Sequence, residues 1–191
     1  MTVPGLPPWD AHHSLWGMDE KYRQGYVSSK HMLAQSYHPR RICEIGVYSG
    51  IAAKCFLAAS PSATYLGIDN LEAQSNQGLS LVEPAIQQLR DLGYAASLLV
   101  VDSQQLTDLP DPPYDFIHVD GNHAPAAAQH DVEMAWRALT PDGVLLVDDC
   151  HNMQVVVGVA AALDPITDLL DWIYIPEGVG TMVIKRAPRV R

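Results

Sequence analysis

The segment Tyr114–His123, YDFIHVDGNH, concentrates the groups best suited to chemistry. Phe116, Ile117 and Val119 predict a short buried strand that stops at Asp120-Gly121, with Asn122 and His123 directly after it. Open α/β sheets bind ligands at the C-terminal ends of their strands, so an acid and a histidine at such an end are well placed. His123 can serve as a general base because imidazole titrates near neutrality; a solvated or capping histidine accounts for it nearly as well. Asp148-Asp149 ends a second apolar run, Val144–Val147. If the two strands pair, three carboxylates converge on one edge. Their repulsion is relieved by a divalent cation, and hard oxygen ligands favour magnesium, manganese or calcium. The alternative is that one acid is protonated or bonded to backbone amides. His118, inside the strand, reads as a core residue with a satisfied hydrogen bond. His130 is a weaker candidate, as is His151, which follows Asp149 closely enough to face a substrate. Nothing marks Cys150 as an activated nucleophile.

Three further acids stand where strands should end. Glu44-Ile-Gly-Val-Tyr-Ser-Gly50 follows a short apolar strand and opens a helix. Gly46 permits a tight turn and Gly50 a close approach to the helix start. The spacing differs from the Gly-x-Gly-x-x-Gly that seats a pyrophosphate, and Glu44 would repel phosphate. A glycine turn without a ligand is the bland reading. Asp69 lies 19 residues after Gly50 and can accept from both hydroxyls of a ribose, or simply cap a turn. Asp102 with Ser103 can read an adenine edge, or be a plain polar strand end. Three successive strands ending in acids imply a nucleoside-like ligand without phosphate.

The elements that must position these groups alternate in kind. A helix from Asp19 to about Tyr37 is marked by acids in its first turn and by Tyr22, Tyr26, Ser29, Leu33 and Tyr37 at helical spacing. Strands follow at Ile42–Ile45, Ala63–Ile68, Ala95–Val101, Tyr114–Val119 and Val144–Val147. Helices between them span Ile51–Ala59, Leu79–Leu92 (Pro84 in its first turn or at a kink) and Pro125–Leu139. Thr140-Pro-Asp-Gly143 reads as a turn. Asn152 can cap a helix carrying Val156, Val159 and Leu163 inward. Leu170–Ile175 and Thr181–Ile184 have no helix between them, so the last strand runs antiparallel. The fold class is therefore α/β: a Rossmann-like, doubly wound, seven-stranded and mostly parallel sheet with a reversed last strand. Residues 1–38 form an N-terminal arm and helix, acting as a lid or dimer contact. Residues 39–186 form the ligand-binding domain, and 187–191 a basic tail.

With 191 residues and 48% hydrophobic content, the chain suits one soluble domain. Its net charge of -10 argues against a nucleic-acid partner. The N-terminus shows no secretory pattern and no apolar run is long enough to span a bilayer, so the expectation is a cytoplasmic protein without membrane contact. Cys43, Cys55 and Cys150 read as reduced, mostly buried thiols. Trp9 and Trp16, in a proline-rich arm, are expected to pack on the body or on a partner chain, which makes a homodimer an expectation.

Glu44–Gly50, Leu66-Gly-Ile-Asp69, Asp115–His123 and Leu139–Asp149 together resemble the class I S-adenosylmethionine-dependent methyltransferases. More narrowly they resemble the small metal-dependent O-methyltransferases that include macrolide-sugar and cephalosporin-pathway enzymes. The resemblance covers about residues 40–150. It implies S-adenosylmethionine as cofactor, with Glu44 and Gly46 at the methionine part, Asp69 at the ribose and Asp102-Ser103 at the adenine. Tyr48, Ser49, Gly50, Asn70 and Asp120 complete the implied contacts. It also implies that Asp120, Asp148 and Asp149 hold magnesium or manganese, that Asp120 and His123 are catalytic, and that the acceptor is a small-molecule hydroxyl. Two departures bear on the acceptor: the N-terminal lid is short, and Pro125 stands where the group commonly has an aromatic residue. The alternatives are a binding module without catalysis, and a metal-independent enzyme with His123 or Asp120 as base. The glycine spacing disfavours a nicotinamide dehydrogenase.

Overall fold

The computed structural model describes residues 20–72 and 80–187, and side chains from residue 24 onward. The arm bearing Trp9 and Trp16, and Arg189 and Arg191 of the basic tail, lie outside the described residues. The elements run α1 (Glu20–Tyr37), β1 (Arg41–Ile45), α2 (Ile51–Ala59), β2 (Thr64–Asp69), α3 (Val82–Asp91), β3 (Ala95–Val100), β4 (Tyr114–Val119), α4 (Pro125–Ala138), β5 (Leu139–Val147), α5 (Met153–Leu163), β6 (Leu170–Ile175) and β7 (Thr181–Arg186). They build the expected seven-stranded sheet, in the order β3-β2-β1-β4-β5-β7-β6. All pairings are parallel except those of β7, which runs antiparallel to both β5 and β6. The strand order reverses between β1 and β4, which leaves a crevice at their C-terminal ends.

Strand alternation divides the core into two layers. Ile42, Phe116, Val144 and Leu146 face α1 and α2, while Cys43, Ile45, Ile117, Val119, Leu145 and Val147 face α4 and α5. Helix α1 packs closely on α2 and is part of the body, not an appendage to it. Among the described residues no helix is long and apolar enough to cross a membrane. The three cysteines are buried free thiols, and burial pushes Cys150 up to about 11.

The residues expected to form a turn, Thr140–Gly143, lie within β5 instead. Tyr114 pairs with Leu139 and Phe116 with Val144, so four residues of β5 face one of β4. The turn composition interrupts the pairing with β4, and flanking pairs on the same partner strand absorb it as a bulge. Pro84 falls in the first turn of α3, where its missing N–H costs nothing.

Candidate active site

Register decides which strand-end acids can reach the crevice. Glu44 is paired with His118 across β1 and β4, and His118 with Leu146 across β4 and β5. Asp148, two residues past Leu146, continues the same face. Alternation therefore sends Glu44, His118 and Asp148 together toward α1 and α2, where all three are buried. His118 Nδ1 lies 2.9 Å from Glu44 Oε1, and its Nε2 lies 3.0 Å from Asp148 Oδ2. The Tyr65 hydroxyl donates to Glu44 Oε2. The Lys30 ammonium, from α1, donates to Asp148 Oδ1 and to Thr181 Oγ1, the latter at 2.7 Å, and Thr181 donates to Asp148 Oδ1 at 2.7 Å. Phe56 of α2 closes this chain edge-on, with its ring centroid 5.3 Å from that of His118.

Two carboxylates and two cations alternate in this buried row. Burial disfavours a charged imidazole, yet Asp148 and Glu44 overcome it and raise His118 to about 10. Burial also opposes ionisation of Asp148, but Lys30 and His118 hold it well below the usual carboxylate range. Such a row is stable only while every member keeps its partner.

The crevice itself is a cavity of about 720 Å³, a size typical of small-molecule sites. Gly46 and Tyr48 line it after β1, Asp69 and Asn70 after β2, Asp102 and Ser103 after β3, Asp120 and His123 after β4, and Asp149 after β5. Tyr26 of α1 and Val179 of the β6–β7 connection close its other side. The described lining holds five carboxylates (Asp69, Glu72, Asp102, Asp120, Asp149) and neither lysine nor arginine.

The structure places several of the residues expected at the ligand away from the cavity or in additional contacts. Glu44 does not line the cavity: its place on the α2 face of β1 commits it to Tyr65 and His118. Gly50 is absent from the cavity lining. At φ 68 it starts α2, and a Cβ there would meet that of Ala85 at 2.8 Å. Ser49 is absent from the cavity lining, although its hydroxyl is buried without a hydrogen-bond partner among the described residues. Asp69 reaches the cavity, but its carboxylate also ties down the loop above it. Oδ2 accepts from Val47 N at 2.8 Å and Tyr48 N at 3.2 Å, and Oδ1 from Leu71 N at 2.8 Å. Asp102 likewise caps the short helical turn Ser103–Gln105 through Gln104 N.

The three acids expected to act together are split. Asp148 belongs to the buried row. Asp149 takes a left-handed conformation, φ 56, which turns it toward the cavity. There its Oδ2 lies 2.8 Å from His123 Nε2. Tyr48, also on the lining, has φ 48. Left-handed conformations at non-glycine residues concentrate at functional sites, held by the surrounding structure. Asp120 is bracketed by both groups: ligand atoms of Asp120, His123 and Asp149 lie within 4.8 Å of one another, and so do those of His118, Asp120 and Asp148. Burial raises Asp120 well above the usual carboxylate range, and the charges of Asp148 and Asp149 add to that. The Tyr26 hydroxyl stands 3.5 Å from Asp120 Oδ2.

Tyr26 and Lys30 were not singled out as site residues from the sequence. They are one helical turn apart, and the Lys30 ammonium lies 4.9 Å from the centre of the Tyr26 ring. The available signal was a lysine beside the stripe formed by Tyr26, Ser29 and Leu33.

Gly46 is the tightest point. Its φ is +83, and a Cβ there would lie 2.0 Å from the Asp120 carbonyl oxygen, a backbone atom that cannot swing away. Gly46→Ala is expected to destabilise the fold by at least about 1–3 kcal/mol from strain and to deform the cavity floor under Asp120. Thermal denaturation together with ligand titration checks both.

The sequence matches the family model described as a methyltransferase domain over residues 43–150. A search of curated proteins finds no match. Among solved structures, the chain is similar to the O-methyltransferase TomG from Streptomyces achromogenes, involved in tomaymycin synthesis and solved with S-adenosylmethionine. That pair is 19% identical over 90% of this chain and 91% of the other, with TM-score 0.63. It is also similar to an O-methyltransferase from Bacillus cereus in complex with S-adenosylhomocysteine, 18% identical over 95% of this chain and 93% of the other, TM-score 0.65. The S-adenosylhomocysteine-bound methyltransferase PaMTH1 from Podospora anserina is 15% identical over 97% of this chain and 100% of the other, TM-score 0.62.

Proposed function

The chain belongs to the methyltransferase domain family, and on that premise we propose that it transfers a methyl group from S-adenosylmethionine to a hydroxyl of a small, uncharged or cationic molecule. The observation that carries this is the cavity lining: acids at the ends of β2, β3, β4 and β5, a glycine after β1, and no lysine or arginine among its described residues. Such a lining suits a nucleoside that bears cationic groups and no phosphate. It would repel a dinucleotide, and equally an acceptor carrying phosphate or a coenzyme A tail. Gly46 and Tyr48 would hold the methionine part, Asp69 and Asn70 the ribose, and Asp102 and Ser103 the adenine. S-adenosylmethionine supplies an activated methyl group, so the protein's main task is alignment of the acceptor oxygen.

A neutral hydroxyl is a weak nucleophile until its proton leaves. Asp120 is placed to take it: its carboxylate lines the cavity, and burial together with the neighbouring carboxylates raises its proton affinity. His123 and Asp149, paired at the outer side of Asp120, can orient the acceptor. The same three residues fit a divalent ion, with two carboxylates and one imidazole within reach of one point. A bound ion would lower the acceptor's pKa. This mixed set suits manganese better than a purely oxygen set would. Asp148 does not fit as a third acid ligand, because both its oxygens already face cations.

Titration calorimetry with S-adenosylmethionine and NADH, followed by methyl transfer assays on acceptors of graded charge, tests the proposal. Saturable binding of the former only, and turnover of neutral or cationic hydroxyl compounds at least about tenfold above phosphorylated analogues, is expected. Binding without turnover of any acceptor would leave a binding module in its place.

A further inference from the structure

Lys30 makes the inner side of the site unlike an acidic metal pocket. Its ammonium is fully buried and donates to Asp148 Oδ1 and Thr181 Oγ1. The other oxygen of Asp148 faces His118 Nε2 at 3.0 Å. An ion placed between Asp120 and Asp148 would therefore have to displace one cation while lying against another. Outside this row, Asp149 and His123 keep part of their surface open, with side-chain exposures of 25% and 47%. We propose that Lys30 is the resident cation of Asp148, that it confines any divalent ion to Asp120, Asp149 and His123, and that Asp148 is a positioning residue and not a ligand.

The sequence cannot distinguish Asp148 from Asp149, and the structure does so by two devices. Strand alternation carries Asp148 to the α1 face, and the left-handed turn at residue 149 carries its neighbour to the cavity. Lys30 then fixes α1 to the end of β5 and to the start of β7. Because Tyr26 lies on the same face of α1 and lines the cavity, that anchor also sets one wall of the site. The neutralising task that the family's pattern gives to a metal is thus shared, on the inner side, with a side chain of the protein itself.

This inference rests on the ion position proposed above, and manganese binding to the full chain, read by electron paramagnetic resonance without cofactor or acceptor, separates the two. Relative to the unsubstituted protein, Asp149→Asn and His123→Ala are each expected to weaken manganese binding at least tenfold, and Asp148→Asn to change it less than threefold. Lys30→Met is expected to tighten binding at least tenfold, and the added Asp148→Asn to remove that gain. The Lys30→Met arm still reads if the unsubstituted chain binds no manganese, which would overturn the outer ion site alone. A tenfold loss in a folded Asp148→Asn, or no gain in a folded Lys30→Met, would overturn the role given to Lys30. Should Lys30→Met not fold, the unsubstituted protein labelled with 15N-lysine decides. A protected Lys30 ammonium resonance unchanged by saturating magnesium supports the proposal, and its displacement by magnesium overturns it.

Discussion

Replacing His118 by alanine is expected to lower the unfolding free energy by about 3–5 kcal/mol, the usual cost of removing one partner from a buried charged pair. The loss should appear as a fall in melting temperature of about 10 °C or more. The reason lies in the order of charges. His118 separates Glu44 from Asp148, which are both buried, and without it two carboxylates share a low-dielectric space with Lys30 as their only cation in the row. The effect should depend on pH. Because the folded protein raises His118 from its ordinary 6.5 to about 10, the imidazolium contributes its full stability below about 6.5. That contribution is lost as pH rises through about 10. The gap between the unsubstituted protein and His118→Ala should thus be widest near pH 6 and should narrow toward pH 10. Denaturant unfolding at a series of pH values measures it, and a constant gap would show that packing, not charge, dominates at this position.

The second large effect is expected at Asp120. Asp120→Asn keeps the size of the side chain and removes its ability to take a proton. A loss of about 10²- to 10⁴-fold in kcat is expected, the range general-base catalysis typically supplies. Cofactor affinity should change far less, because glycine, hydroxyl and carboxyl groups at the ends of β1, β2 and β3 remain in place. Equal losses in kcat and in cofactor binding would instead identify Asp120 as a binding residue for the methionine part.

Much of this architecture is legible in the sequence because sheets impose simple periodicities. The five parallel strands, the reversed last strand and the acids at their ends all follow from apolar runs that stop at Asp69, Asp102, Asp120 and Asp148. What is not legible depends on direction. Glu44 and Gly46 stand two residues apart in one motif, yet Glu44 faces Tyr65 and His118 while Gly46 floors the cavity. Asp148 and Asp149 are chemically identical neighbours that part company at a left-handed residue. The Lys30–Asp148 contact joins residues 118 positions apart and depends on the tertiary packing of α1. No local pattern encodes such a meeting, although a lysine bordering an apolar helical stripe is a cue that it needs a buried partner. Thr140–Gly143 illustrates the reverse case, where local turn chemistry is present but the flanking pairs of β4 and β5 override it.

The most direct test of methyl transfer to a hydroxyl at this cavity is incubation with S-adenosylmethionine labelled with 13C at its methyl group and a panel of neutral hydroxylated acceptors, analysed by mass spectrometry and NMR. A labelled O-methyl product is the expected result, with its formation falling at least about 100-fold in Asp120→Asn. A label found on nitrogen or carbon, or an O-methyl product formed equally well by Asp120→Asn, would contradict it.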